Sequence, residues 1–268
     1  MTAPFTIALA GKGGTGKTSL TGLLVKTLRE KGKGPILAVD ADPNSSLPEI
    51  LGVSVNQTIG DLREDTLDNI SELPPSLSKS SYLELGVEEC LIENQGFDML
   101  VMGHGEGPKC YCMVNHILRK YIEMLRKNYH YVIIDNEAGM EHLSRRTTQN
   151  VDILFIVSQP EPVSIRSAAR ISQLVKKLKL RVKEQFLILN KVRRDLSSSL
   201  EDEIANTGLS LLGEIPEDEE LSQLAVEGKP IWKLSSHSPA QVAVECFLKK
   251  LGENFSQLHH SFRRNSSG

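Results

Sequence analysis

The sequence predicts a doubly wound α/β fold, a mostly parallel sheet with helices on both faces. Three observations predict it: short apolar runs that lack polar alternation, longer stretches with helical spacing between them, and repeated exchange of the two along 268 residues. Apolar runs without alternation are the mark of strands covered on both faces, hence of a parallel sheet. Strand, helix and strand in succession then require right-handed crossovers. The expected strands are residues 5–10, 36–40, 97–102, 131–135, 153–158, 186–190 and 211–215, each rich in Ile, Val, Leu or Phe. The expected helices are residues 17–31, 115–127, 164–179, 200–206 and 240–255. In the third of these, Ile165, Ala168, Ala169, Ile171, Leu174, Val175 and Leu178 keep 3.6-residue spacing, with Arg and Lys elsewhere. Residues 55–95 mix acids, Ser and the Pro74-Pro75 pair, and read as short helices on the rim. Folds of this class bind ligands at the carboxyl ends of their strands.

No Pro/Gly/Ser-rich linker divides the chain, so residues 1–256 are expected to form one domain and residues 257–268 a frayed tail. Thirty-one basic against 34 acidic residues, a net charge of −3, argue against a chain whose main task is to neutralise nucleic-acid phosphates. No apolar run approaches the ~18 to 20 residues of a membrane span. Residues 5–10 run straight into a glycine loop without a basic leader, so no signal peptide is expected and a cytoplasmic location is. Four cysteines, two of them one residue apart, exclude a disulfide scaffold and raise a thiolate site instead.

Residues 11–18 read Gly-Lys-Gly-Gly-Thr-Gly-Lys-Thr, the pattern G-x-x-x-x-G-K-[ST] of a phosphate-binding loop. Gly11, Gly13, Gly14 and Gly16 let the backbone curl so that its N–H groups point at phosphate oxygens. The following helix adds its N-terminal partial charge. Lys17 is expected to reach the terminal phosphates and the Thr18 hydroxyl to ligate Mg²⁺, with Thr15 and Ser19 completing the nucleotide contacts. ATP and ADP are the implied ligands. Two further segments place carboxylates just past a buried strand: Ile-Leu-Ala-Val-Asp-Ala-Asp, ending at Asp42, and Tyr-Val-Ile-Ile-Asp, ending at Asp135. Asp135 is the expected outer partner of Mg²⁺. Asp42, a second magnesium candidate, is placed to orient an attacking water, which phosphoryl transfer needs more than a strong base. Gly139 offers an N–H for the γ-phosphate.

Lys12, the second residue of the loop, departs from an ordinary phosphate loop. Gly-Lys-Gly-Gly-x-Gly-Lys-Thr resembles the deviant Walker A ATPases, which include nitrogenase iron protein, the MinD- and ParA-like septum-positioning and partition ATPases, and metallocentre-maturation ATPases. The resemblance implies a homodimer in which Lys12 crosses the two-fold axis onto the partner's nucleotide and shares in catalysis. It also implies adenine contacts from Asn190 and Lys191 in Leu-Asn-Lys-Val and from the loop at Pro216. Within that family, residues 103–119, Gly-His-Gly-Glu-Gly-Pro-Lys-Cys-Tyr-Cys-Met-Val-Asn-His-Ile-Leu-Arg, are similar to the Cys-Tyr-Cys segment of the carbon monoxide dehydrogenase maturation ATPases of the CooC type. Their acetyl-CoA synthase counterparts of the AcsF type look alike. The likeness extends from residue 5 to about residue 250, is loosest in 55–95, and departs from the frequent family pattern at Lys109.

Cys110 and Cys112 project to the same side of an extended chain. Two thiolates are too few for a closed tetrahedral site, but a two-fold dimer supplies four. Four thiolates suit square-planar Ni²⁺ and tetrahedral Zn²⁺ alike. His104 and His116 flank the pair as auxiliary ligands or as surface residues, and Cys90 and Cys246 fall in apolar helical patterns that read as core. The resemblance implies apo carbon monoxide dehydrogenase as client, with acetyl-CoA synthase the alternative, and no nucleic-acid or stable membrane partner. Two other classes stand against this reading. A cluster-bearing reductase needs a cysteine after the second Asp motif, and residues 136–146 contain none. A MinD/ParA-like positioning ATPase on DNA would use the basic run 176–183, which reads more simply as a solvated helix end and strand entry. On a membrane it needs a basic terminal amphipathic helix, and residues 240–255 carry only Lys249 and Lys250 as bases.

Overall fold

A computed structural model of the chain describes residues 4–69, 78–104, 120–137, 150–193 and 195–265. Its sheet has eight strands in the order β3-β4-β2-β5-β1-β6-β7-β8. These are β1 (Phe5–Gly11), β2 (Ile36–Ala41), β3 (Ile92–Asn94), β4 (Phe97–Val101), β5 (Tyr131–Asn136), β6 (Asn150–Ser158), β7 (Arg181–Val192) and β8 (Ser210–Pro216). All neighbours pair in parallel except β3, which runs antiparallel to β4. The seven expected strands are all present. The eighth, β3, is three residues long and polar at its exposed positions, too short for any periodicity to reveal.

Helices α1 (Lys17–Glu30), α2 (Leu47–Leu51), α7 (Glu219–Val226) and α8 (Pro239–Asn265) cover one face of the sheet. Helices α3 (Ile59–Asn69), α4 (Lys79–Glu89), α5 (Pro162–Lys177) and α6 (Ser198–Asn206) cover the other, with a helical stretch at 120–125. The alternation of β1 divides its side chains between the layers: Ile7 and Leu9 meet α1, while Ala8 and Ala10 point toward α5. The strand order turns at β1, which lies between β5 and β6, so the loop after β1 opens into the crevice at the centre of the sheet.

Helix α1 is buried on more than its apolar stripe, because α8 packs along its flank. Gln241 Nε2 donates to Thr27 Oγ1 at 2.9 Å, and Lys31 pairs with Glu245 at 2.8 Å. Val244, Phe247 and Leu251 of α8 face the sheet, with the Phe247 ring edge-on to Phe155 at 5.7 Å, a contact worth about 1 kcal/mol beyond the area it buries. The same spacing turns Cys246 outward, so it is exposed rather than core; Cys90 is buried as expected. Helix α8 continues to Asn265, past residue 255 where the sequence pattern was expected to end it. The basic run after α5 is a helix end and strand entry: α5 stops at Lys177 and β7 begins at Arg181. Among the described residues no helix is long and apolar enough to cross a membrane.

Candidate active site: a braced phosphate loop and two buried carboxylates

The loop after β1 folds on its own carbonyls and is braced from two neighbouring strands. Thr15 Oγ1 donates to the carbonyl of Lys12 at 2.8 Å, and Lys17 Nζ reaches the carbonyls of Gly11 and Lys12 at 3.3 and 3.4 Å. From the end of β6, Gln159 Nε2 donates to the Gly14 carbonyl at 3.3 Å. From the end of β7, Lys191 Nζ donates to the same carbonyl at 3.4 Å and Asn190 Nδ2 to that of Thr15 at 2.8 Å. With the carbonyls engaged in this way, the amides of Gly13, Gly14, Gly16, Lys17 and Thr18 donate to no acceptor among the described residues. That is the donor set an anion needs at a helix N-terminus. Gly16, the N-cap of α1, has φ +87°, and a Cβ there would lie 2.2 Å from Asn190 Nδ2, so only glycine fits both the backbone and the brace.

Lys17 is buried, and burial lowers its pKa against the pull of Asp135, Asp42 and Glu137. Asp135, next to last in β5, stands beside it and is 1% exposed. Among the described residues, neither of its carboxylate oxygens meets a donor in hydrogen-bond geometry. Burial pushes this carboxyl up to about 6, although the Thr18 and Thr21 hydroxyls and Lys17 stand close enough to moderate the rise. Two orphaned carboxylate oxygens beside a threonine hydroxyl form a hard oxygen set, and that set fits Mg²⁺. Asp42 is half-buried at the head of a turn, where its Oδ1 accepts the backbone N–H and the side-chain amide of Asn44 at 2.9 and 3.0 Å. Lys12 is exposed, and its ammonium has no hydrogen-bond or ion-pair partner among the described residues.

Beside Gly14 lies a cavity of about 530 Å³ at the carboxyl ends of β6, β7 and β8, lined in part by Gln159, Lys191, Arg193, Ser197 and Glu217. Arg193 and Glu217 form a two-point ion pair at 2.5 and 2.9 Å, joining the loops after β7 and β8. Pro216 ends β8 at this rim. Asn190 is thus brought to the phosphate loop, where its amide donor is committed to Thr15 and its carbonyl oxygen remains for a ligand.

Cys110, Cys112, His116 and Gly139 lie outside the described residues. Among the described residues no group of three or more His, Cys, Asp or Glu is placed to hold a metal ion. His104 is exposed at the exit of β4, and its carbonyl accepts from Arg63 at 3.3 Å. The Cys90 thiol donates to the Thr58 carbonyl at 3.4 Å, and burial pushes its pKa up to about 12, so it is not a thiolate ligand. Two residues the sequence reading did not single out are Gln159, which braces the loop, and Asp40. Asp40 is fully buried, and its Oδ1 and Oδ2 accept the N–H groups of Asp42 and Leu47, both at 3.0 Å. The Asp-Ala-Asp spacing was the available signal for Asp40; nothing local marks Gln159.

Residues 6–231 match the model of the CobQ/CobB/MinD/ParA nucleotide binding domain. An ATP-binding protein of Methanocaldococcus jannaschii is 41% identical over 247 residues, covering 91% of this chain and 97% of that protein. The carbon monoxide dehydrogenase accessory protein CooC of Rhodospirillum rubrum is 28% identical over 259 residues, covering 92% and 97%. Among solved structures, the MinD cell division protein of Aquifex aeolicus superposes with a TM-score of 0.67 at 25% identity, covering 93% of this chain and 97% of that one. Loop, sheet order and sequence therefore agree, and the chain belongs to the CobQ/CobB/MinD/ParA nucleotide-binding family as a P-loop ATPase.

Proposed function

We propose that this ATPase works as a homodimer that loads nickel into a client enzyme, carbon monoxide dehydrogenase first and acetyl-CoA synthase as the alternative, in the cytoplasm. The observation that carries the reading is Cys110-Tyr111-Cys112, found in a chain that aligns along 92% of its length with CooC. ATP binds with its phosphates on the free amides of the loop and on Lys17, and with its base toward Asn190, Lys191 and Pro216. Thr18, Asp42 and Asp135 hold Mg²⁺, which supplies charge neutralisation at the phosphates. Asp42 leaves Asn44 to orient the attacking water, and Gly139 and the Lys12 of a second copy stabilise the transferring phosphoryl group. Closing the dimer brings four cysteine sulfurs together around the cargo ion, Ni²⁺ or Zn²⁺. A complete thiolate site contributes ~10 kcal/mol or more, against ~2 to 5 kcal/mol for a crossing lysine. Metal therefore dominates the dimer and nucleotide modulates it, and by linkage metal tightens ATP binding.

The test is metal analysis of the dimer beside a Cys110→Ser, Cys112→Ser double variant, with sedimentation in the presence and absence of each ligand. Metal content that falls to background in the variant supports the reading. Equal content in both proteins moves the assignment to a MinD/ParA-like positioning ATPase. That second reading is favoured by the Aquifex aeolicus MinD superposition, and vesicle pelleting would detect its membrane form.

A further inference from the structure

Asp40 has no hydrogen bond to the phosphate loop among the described residues. Its two carboxylate oxygens take the N–H groups of Asp42 and Leu47, the two ends of the segment 42–47 that carries Asp42. Its own carbonyl accepts the N–H of Met102 at 2.8 Å, the first residue past β4, and the Met102 carbonyl accepts the N–H of Gly60 in α3 at 2.9 Å. The β4 exit is closely held on its far side as well. Gly103 has φ +63°, and a Cβ there would lie 2.3 Å from Thr58 Oγ1; a Cβ on Gly60 would lie 2.2 Å from the His104 carbonyl oxygen, which also accepts from Arg63. A fully buried carboxylate is thus used entirely on backbone, at the junction of two loops at the carboxyl end of the sheet. Side chains that only cap a turn are usually left in water; removing this one from water is costly unless both acceptors are used, as they are here.

We propose that Asp40 is a positioning residue that locks segment 42–47 to the β4 exit, Met102–His104, so that the two respond as one piece when Asp42 engages a bound nucleotide. This rests on the reading that ATP binds the loop and is hydrolysed there. In the sequence the chain runs on from His104 toward Cys110 and Cys112.

Amide hydrogen exchange of the full chain, with and without Mg²⁺ and the ATP analogue AMP-PNP, tests it, with calorimetry reporting analogue binding independently. In the wild type, peptides covering 42–47 and 102–104 are expected to gain protection together. A response confined to 42–47 in protein that binds the analogue overturns the inference and leaves the ATPase reading standing. Absence of binding by calorimetry overturns both. The Asp40→Asn variant keeps the shape but turns an amide donor toward a backbone N–H. It is expected to bind AMP-PNP within about threefold of wild type, to lose about tenfold in kcat with KM little changed, and to lose the response at 102–104. Asp40→Asn with wild-type kcat and a joint response sinks the proposal. If that variant fails to fold, the wild-type exchange pattern alone decides.

Discussion

Two aspartates stand side by side on neighbouring strands, Asp40 on β2 and Asp135 on β5, paired at the same rung of the sheet. They are 0% and 1% exposed, and burial raises the pKa of both, Asp40 to about 7 and Asp135 to about 6. Their partners differ completely. Both oxygens of Asp40 are taken by backbone amides, whereas neither oxygen of Asp135 meets a donor among the described residues. Equal type, depth and height therefore do not mean equal surroundings: one carboxylate is spent on backbone and the other keeps its oxygens uncommitted. An unsatisfied buried carboxylate is a stability cost that only a functional partner offsets.

The comparison is broken most severely at Asp135. Asp135→Asn is expected to lower kcat about 100-fold or more in the presence of Mg²⁺ while leaving the fold intact, as phosphate release and circular dichroism will show. A loss smaller than threefold would mean that the orphaned oxygens are not part of the reaction. Gly16→Ala comes next. The added methyl meets Asn190 Nδ2 and the backbone cannot hold φ +87° without strain, so affinity for AMP-PNP is expected to fall at least about tenfold by calorimetry.

Stability sharpens the contrast by its sign. Asp40→Ala leaves the amides of Asp42 and Leu47 without acceptors and is expected to cost roughly 2 to 5 kcal/mol in chemical denaturation. Asp135→Asn, which removes a charge that burial disfavours more than Lys17 and the neighbouring hydroxyls favour it, is expected to stabilise the nucleotide-free protein at pH 8. The pH dependence follows from the same residues. A carboxyl whose folded pKa lies above its unfolded value binds more protons in the native state, so stability falls as pH rises from about 4 through the folded value near 6. The unfolding free energy of the wild type relative to Asp135→Asn should thus drop between pH 5 and pH 8 by about 1.4 kcal/mol, and parallel curves would contradict the burial argument. At the small end stands the exposed carboxylate Glu217, whose pKa its Arg193 partner lowers. Glu217→Gln is expected to leave Tm within about 1 °C, as exposed ion pairs usually do.

The residues that were legible in the sequence are those whose meaning is local. The phosphate loop is contiguous, and its glycines and Lys17 carry their chemistry wherever the chain places them. The buried strands announce themselves by unbroken apolar runs, and α5 by its spacing. What could not be read depends on partners far along the chain. The β3 edge strand exists because β4 offers it an antiparallel partner, and Gln159 serves the loop from 145 residues away. Cys246 looked apolar by neighbourhood, but the face of α8 that meets Phe155 is set by Val244, Phe247 and Leu251. Asn190 was expected at a base; in the fold its amide first secures the loop.

The chain's order of residues determines by itself that there is a phosphate loop on the central strand of a parallel sheet, and that carboxylates stand at two neighbouring strand ends. Only the tertiary structure decides which carboxylate is spent and which is free. The physical reason is that hydrogen-bond satisfaction of a buried group is a property of the backbone amides packed around it. For Asp40 those amides belong to the turn that follows its own strand, while at Asp135 the crossing of β5 with α1 brings hydroxyls and an ammonium but no donor in bonding geometry.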